Sequence, residues 1–376
     1  MVWNMDRSEQ DGRRMILQKA GSLTPFWTLK IRSSFNVKSG RAFRLFLSIC
    51  TLLLQLFSPL FLPGCQKGGP AVSSIAIHPN RPEILYFSSD KGLHKSLDQG
   101  TTWKSMEEGL GTYQILSIAI NPAVPSTLYV GTFSDGVYRS VDNGRNWGLI
   151  NNGMRDYIAV VNALAIDPKT PTILYAGTTM GVYKSVDNGG SWERTSVGLD
   201  SLFTVALAID PENPSLLYAG TSGGIYKSAD AGATWKTSNQ GLVKETRVNA
   251  MSLGINSIAI DPEKPDSVYV GSARGFYLSR NRGESWIKID KGGIEDPFIT
   301  TVVVSRTQPK TLYAGTNRGL YQSLDEGEKW EKIGEIDINA IAIDPLRPDV
   351  VYAGSGRGLF KSEDRGKIWA EVKTAS

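Results

Sequence analysis

The octet Ser96–Trp103, SLDQGTTW, returns six times along the chain: SVDNGRNW at Ser140–Trp147, SVDNGGSW at Ser185–Trp192, SADAGATW at Ser228–Trp235, SRNRGESW at Ser279–Trp286, SLDEGEKW at Ser323–Trp330 and SEDRGKIW at Ser362–Trp369. Serine opens every copy and glycine holds the fifth place. The third place is Asp98, Asp142, Asp187, Asp230, Asp325 or Asp364, with Asn281 the single departure. The closing residues Trp103, Trp147, Trp192, Trp235, Trp286, Trp330 and Trp369 are separated by 44, 45, 43, 51, 44 and 39 residues. Self-similarity at such a period marks a solenoid or a propeller, in which each unit buries its faces only against its neighbours.

Outward from the octet, the rest of the period repeats too. Upstream lies a β-branched run ending in a proline turn, read as SIAIHP, SIAINP, ALAIDP, ALAIDP, SIAIDP and AIAIDP; the sixth copy departs as TVVVSRTQP. A second run follows (LYFSS, LYVGT, LYAGT, LYAGT, VYVGS, LYAGT, VYAGS), then a third (GLHKS, GVYRS, GVYKS, GIYKS, GFYLS, GLYQS, GLFKS). Each has the period-two alternation and the Gly, Pro or Asp punctuation of a short strand. A fourth strand is expected to begin at the tryptophan. Four strands per period, seven periods, predicts an all-β, seven-bladed β-propeller of four-stranded antiparallel blades over residues 71–376.

The octet resembles the Asp-box, or BNR repeat, found in sialidases, xyloglucan-cleaving glycosidases, sortilin-type receptors and photosystem II assembly factors. In that reading the box joins the third and fourth strands of a blade. Its Asp carboxylate and Ser hydroxyl cap backbone N–H groups of the turn, its glycine supplies a positive φ, and its tryptophan packs between adjacent sheets. Asn281 keeps the acceptor oxygen and loses only the charge. The resemblance puts the boxes on the outer rim, away from any active site, so these fourteen Asp/Asn and Trp positions are expected to be structural.

Ahead of the repeats the composition changes. Residues 1–64 hold nine Lys/Arg and three Asp/Glu, a local net of +6 that exceeds the whole chain's +4, and the body carries a net −2. A body without a concentrated positive field is not built for a phosphate backbone, which disfavours nucleic acid. Leu45–Leu62 reads LFLSICTLLLQLFSPLFL behind Arg41 and Arg44, a basic segment followed by an uncharged apolar one, as in an export signal. Leu62-Pro63-Gly64-Cys65 resembles a lipobox, which makes Cys65 the candidate lipidation site, although Pro63 stands where a small residue is usual. An uncleaved signal-anchor and plain secretion are the other readings. All three place the body outside the cytoplasm, as a periplasmic or cell-surface protein, with residues 65–70 as linker. Two histidines and two cysteines leave no metal site and no disulfide framework to expect, and no cofactor is expected either.

Function is expected on the face opposite the boxes, where the connections after the second and fourth strands lie. From each Trp to the next first strand the gaps are 14, 16, 14, 22, 15 and 10 residues. Variation confined to one face of a rigid scaffold marks a binding face. The longest connection, Lys236–Asn256, is expected to fold over the mouth. The turns after the second strands are expected to crowd the central opening. Three of them place Arg274, Arg318 and Arg357 in one register, and ring closure would add Lys91, with Asp90 and Asp135 at the end of the arc. Guanidinium groups gathered in this way suit a carboxylate or sulfate.

Two functions compete. One is a non-catalytic extracytoplasmic module that binds a protein, a peptide or a carbohydrate on the variable face and is held at the membrane by an N-terminal lipid or anchor. The other is a glycoside hydrolase of sialidase or xyloglucanase type. Sialidases hold a substrate carboxylate with an arginine trio, but their Arg-Ile-Pro motif is missing here. Hydrolysis needs two carboxyls across one bond; Glu107, Glu108, Asp156, Asp200, Glu245, Glu295 and Asp296 lie in the long connections, and nothing in the sequence pairs any two. Photosystem assembly factors share blade number, box, export signal and an arginine-rich patch, but not the IAIDP…LYAGT phrase, so their partner does not carry over. No cysteine-rich segment follows the last box, as a sortilin-type receptor would require.

Overall fold

In the computed structural model, residues 69–106, 108–110, 114–154, 160–242, 253–306 and 310–373 are described. The chain divides into two units, Met1–Gln66 and Lys67–Ser376. The expected leader and Cys65 lie outside the described residues.

The described residues form seven four-stranded antiparallel sheets, each with its strands in sequence order. The first blade pairs Val72–Ile77, Leu85–Ser89, Gly92–Ser96 and Lys104–Ser105. The other first strands are Ile115–Ile120, Val161–Ile166, Thr204–Ile209, Ile255–Ile260, Ile299–Val304 and Ala340–Ile343. Each of these packs against the first strand of the next blade, and Val72–Ile77 packs against Ala340–Ile343, which closes the ring. First strands therefore surround the axis and fourth strands form the rim. The second strands, buried along their whole length, are the core of each blade.

Among the described residues no strand is exchanged between the ends of the chain to close the ring. Packing closes it instead. Val72, Leu85 and Phe87 of blade 1 share one apolar cluster with Val350, Tyr352 and Leu359 of blade 7. Burying each such aliphatic or aromatic side chain contributes about 1.5–3 kcal/mol. Two hydrogen bonds cross the same seam: the Asn339 side-chain amide donates to the Val72 carbonyl (3.1 Å) and the Tyr352 hydroxyl to the Gln99 carbonyl (3.0 Å).

The first bond belongs to a series. In blades 1 to 6 the first strand carries a β-bulge at its second residue: Ser73, Leu116, Asn162, Val205, Asn256 and Thr300. A bulge re-aims the side chain it inserts. Where that side chain is polar and long enough, it reaches the next blade: Asn162 donates to the Thr204 carbonyl (2.9 Å), Asn256 to the Ile299 carbonyl (2.8 Å), and Thr300 to the Ile338 carbonyl.

Candidate functional site

The boxes come first because they fix the two faces. In each one the serine hydroxyl donates to the third residue and accepts the glycine N–H, at 2.7 and 2.9 Å in Ser228–Asp230–Gly232. Asp230 Oδ1 also accepts the Thr234 N–H at 2.9 Å, and Oδ2 accepts the Thr234 hydroxyl at 2.6 Å. These donors hold the Asp230 and Asp187 carboxyls down at about 2. For Asp230 the Thr234 hydroxyl is the largest cause, and for Asp187 the Ser191 N–H. Asn281 fits the same frame: its oxygen accepts the Ser279 hydroxyl (2.8 Å) and the Ser285 N–H (3.0 Å), and its amide donates to the Ser285 hydroxyl (2.9 Å). The turn needs two positive-φ residues, not one. Gln99, Asn143, Asn188, Ala231, Arg282, Glu326 and Arg365 precede the glycine with φ of 53–64°.

The carbonyl of that extra left-handed residue is an inter-blade acceptor. Asn143 O takes the Lys95 ammonium (3.0 Å) and the Tyr86 hydroxyl (3.3 Å) of the preceding blade, and Ala231 O takes Lys184 and Tyr175 (both 2.9 Å). The tryptophans act the same way. The indole N–H of Trp192, Trp235, Trp286 and Trp330 donates to the carbonyl of Ile150, Thr195, Ser238 and Ile289, each on the preceding blade, at 2.7–2.8 Å. Every polar atom named so far serves turn or ring. The box carboxylates spend most of their acceptor capacity on their own turns.

Strand direction places the boxes and the proline turns on one face, and puts the turns after the second strands, with the connections between blades, on the other. Because the first strands are innermost, the turns carrying Lys91, Asp135, Arg274, Arg318 and Arg357 stand one strand out from the axis and do not crowd the opening. The turns share one construction: a Ser or Thr at the end of the second strand accepts the turn N–H. Lys91 N donates to Ser89, Asp135 N to Thr132, Arg274 N to Ser272, Arg318 N to Thr316 and Arg357 N to Ser355, at 2.9–3.1 Å. This fixes the backbone and leaves the side chains to project. Lys91, Arg318 and Arg357 are exposed and Arg274 is half-buried. Among the described residues neither Arg318 nor Arg357 is in an ion pair.

The arc is not purely basic. A Cβ on Gly275 would meet Asp290, one on Gly358 would approach Glu371, and the Gly356 N–H donates to Asp337 at 3.0 Å. Asp290 itself pairs with Lys288 at 3.0 Å. The two acids named at the end of the arc have structural partners. Asp90 accepts the Ala71 N–H at 2.9 Å, which ties down the start of blade 1, and Asp135 accepts the Tyr138 hydroxyl.

Of the loop carboxyls, Glu107, Asp156 and Glu245 lie outside the described residues, as does the middle of the Lys236–Asn256 connection. Glu108, Asp200 and Glu295 are exposed. Asp296 is buried and accepts the Phe298 N–H at 3.0 Å. Among the described residues every Asp or Glu with a shifted ionisation is shifted downward: Glu83, Asp98, Asp142, Asp187, Asp230, Glu284, Asp325, Glu363 and Asp364. Among the described residues no group of three or more His, Cys, Asp and Glu could hold a metal ion, and no helix is long and apolar enough to cross a membrane.

With seven boxes built alike on seven blades, the comparison with known families has a definite object. The family model described as BNR-Asp box repeat matches residues 359–372, in the last blade. That match covers one blade of seven, and the other six boxes repeat its Ser, Gly and Trp places. Among curated proteins nothing matches the sequence. Among solved structures, the propeller is similar to the GH74 xyloglucanase from Xanthomonas campestris (TM-score 0.67, 17% identity, 82% of this chain and 55% of that one). It is similar also to the extracellular domain of a hybrid two-component system from B. thetaiotaomicron (0.63, 17%, 78% and 38%). A third is YCF48 from Cyanidioschyzon merolae (0.59, 14%, 81% and 98%), a protein also solved bound to D1 peptide. The chain spans about half the length of the xyloglucanase. At these identities the likeness establishes the fold.

One element escaped the sequence reading. Six residues after Trp103, Trp147, Trp192 and Trp235 stand Gly109, Gly153, Gly198 and Gly241, each followed by Leu or Met; Gly293-Ile294 follows Trp286 one residue later. These glycines have φ of 85–137° and lie against the backbone of the next blade's tryptophan. The carbonyl just before the glycine accepts that tryptophan's N–H: Asn152 for Trp192, Val197 for Trp235, Gln240 for Trp286 and Gly292 for Trp330, at 2.8–3.0 Å. The fixed spacing from each tryptophan was the available signal.

Proposed function

We propose that the propeller is a non-catalytic binding module of the cell exterior, and that it holds a protein, peptide or carbohydrate ligand through the face opposite the boxes. The observation that carries this reading is that the differences in connection length between blades are concentrated there. Connection length varies on that face alone, and the exposed charges of the turns at Lys91, Arg318 and Arg357 project from it. A rigid ring with a variable face is a scaffold for recognition. Exposed guanidinium groups flanked by Asp337 and Glu371 favour a ligand of mixed charge with at least one carboxylate. Hydrolysis would instead need a carboxyl held protonated beside a second carboxylate across one bond. The D1 peptide on YCF48 lends the binding reading support by analogy, and the extracellular domain from B. thetaiotaomicron supports placement at the cell exterior. The N-terminal segment fits export, with Cys65 as lipid anchor or Leu45–Leu62 as signal-anchor.

The test is cross-linking capture from the native envelope with the wild-type chain and with the Arg318→Ala/Arg357→Ala variant. A ligand retained by the first and lost by the second supports the reading. Turnover of xyloglucan or of an aryl glycoside by the purified protein would replace it with the hydrolase.

A further inference from the structure

The way the chain enters the ring fixes which face its first residues touch. Strand direction puts the start of every first strand on the face that carries the turn arginines, and Val72 opens blade 1 there. Ala71 and Gly69, just before it, are held against the same face. The Ala71 N–H donates to Asp90 Oδ1 at 2.9 Å, and the Asp90 N–H donates back to the Ala71 carbonyl at 3.1 Å, which ties the entry to the turn of blade 1. Gly69 lies against the turn of blade 7: a Cβ on it would stand 3.0 Å from the Arg357 carbonyl oxygen and 3.1 Å from Gly358 Cα. The chain thus arrives at the ring between the turns that carry Lys91 and Arg357.

Cys65 precedes Gly69 by four residues. At no more than about 3.6 Å per residue, that length of chain reaches at most about 14 Å. The first strand of blade 1 has 6 residues, so at about 3.3 Å per residue the wall between the two faces is about 20 Å high. The tether is shorter than the wall it would have to descend. With Cys65 fixed at a bilayer surface, the ring cannot turn its boxes to the membrane, and its Lys91–Arg357 edge stays within about 14 Å of the lipid. The charges on this face are of both signs: Lys91, Arg318 and Arg357 share it with Asp90, Asp337 and Glu371. An anionic lipid surface is held by clusters of about four to eight Lys or Arg, whereas these six charges cancel.

We propose that a lipid on Cys65 holds the ring with its ligand face turned to the membrane, and that the occupant of that face is an extramembrane segment of an integral membrane protein, of mixed charge. This rests on the binding face proposed above and adds where its partner lies. A segment that emerges from the bilayer nearby meets the Lys91–Arg357 edge at the height the tether sets, and sharing one membrane raises its effective concentration. A soluble ligand would have to enter the gap from the side. The boxes, occupied with their own turns, point away from the lipid.

The test puts one fluorophore on the lipidated full chain in phosphatidylcholine vesicles, through Lys373→Cys or Lys367→Cys, and quenches it with a nitroxide on the lipid headgroup. Both residues are exposed and both belong to blade 7, Lys373 just past its last strand on the ligand face and Lys367 in its box. The two differ in height by most of a blade, so quenching at Lys373 should be at least about twice that at Lys367. Equal quenching, stronger quenching at Lys367, or a Cys65 that mass spectrometry finds without lipid overturns the orientation. This readout needs no ligand, so it holds or fails separately from the capture test of the face itself. A photo-crosslinking residue in place of exposed Asn317, beside Arg318, reports the occupant in the native envelope. A crosslink to an extramembrane segment of an integral membrane protein, lost in the Arg318→Ala/Arg357→Ala variant, is expected. Crosslinks to lipid or to a soluble protein alone, or none, overturn the assignment of the partner.

Discussion

Lys310 offers a severe test of how the blades are joined. The proline turn of blade 6 departs from the repeat, with Ser305 where other blades have Asp, Asn or His, and the junction to blade 5 is held differently. The Lys310 ammonium lies 2.9 Å from Asp261 Oδ1 and 3.1 Å from Glu263 Oε2. The Lys310 side chain is 8% exposed and that of Asp261 4%, so this pair sits outside the reach of solvent screening. Removing one partner of a buried pair costs about 3–5 kcal/mol because the other charge is left uncompensated. Lys310→Met keeps the length of the side chain and removes only its charge. Asp261 would retain the N–H groups of Glu263 (2.9 Å) and Lys264 (3.2 Å), which reduces the expected loss to about 2–3 kcal/mol. With a urea m-value near 3 kcal/mol/M, the unfolding midpoint should fall by about 0.7–1 M with m unchanged. Adding Asp261→Asn should recover at least about 1 kcal/mol of the loss, since the amide needs no counter-ion. A midpoint within about 0.2 M of wild type would put the pair in the class of surface ion pairs, worth about 0–1 kcal/mol, and the argument from burial would fail.

Two further outcomes follow from the turns. His78 Nδ1 accepts the N–H groups of Asn80 (3.2 Å) and Arg81 (3.1 Å), which only the unprotonated nitrogen can do. Burial first, and Arg81 second, hold its pKa below the ordinary 6.5, so its contribution is complete above that value and is lost as pH falls through the lowered folded-state pKa. Calorimetry should find the thermal midpoint dropping further between pH 7 and 5 in the wild type than in His78→Asn, whose amide is the cap Asn121 already provides; identical profiles would contradict this. In the fourth box, Asp230→Asn should cost under about 1 kcal/mol by chemical denaturation, as Asn281 foretells, whereas Asp230→Ala should cost about 1–2 kcal/mol by leaving the Thr234 N–H without its acceptor. Equal effects of the two substitutions would mean that the carboxylate's charge, not its acceptor geometry, holds the turn.

The ring itself was legible because its signals are letters. The Ser, the Asp and the Gly of each box bond within the box, and alternating Ile-Ala-Ile and Leu-Tyr-Ala phrases announce strands whatever the neighbours do. What the letters did not carry is mostly backbone. Gln99, Ala231 and Arg282 have nothing in common as side chains, yet all are left-handed, and the acceptors for Trp192 and Trp235 are carbonyls of Ile150 and Thr195. Such partners are chosen by geometry, not residue type. The placement of the arginine turns also depended on strand order: with the first strand innermost, Arg274, Arg318 and Arg357 stand away from the opening that a reading of turn length alone would assign them to. His78 was visible as a substitution, but its role as a neutral cap required the two N–H groups that face it. The glycine tail was readable from its spacing and became meaningful only against the next blade's tryptophan.

Closure of the seven blades into a ring underlies the shared face. Spin labels at Thr102 in the first box and Lys367 in the last, on a chain with Cys50 and Cys65 replaced by serine, measure it by pulsed dipolar spectroscopy. Sheets pack about 10 Å apart, so labels on neighbouring blades should give one narrow distance near about 20 Å. A distribution centred near about 60 Å, the span of seven sheets stacked in an open row, would contradict the ring and everything placed on it.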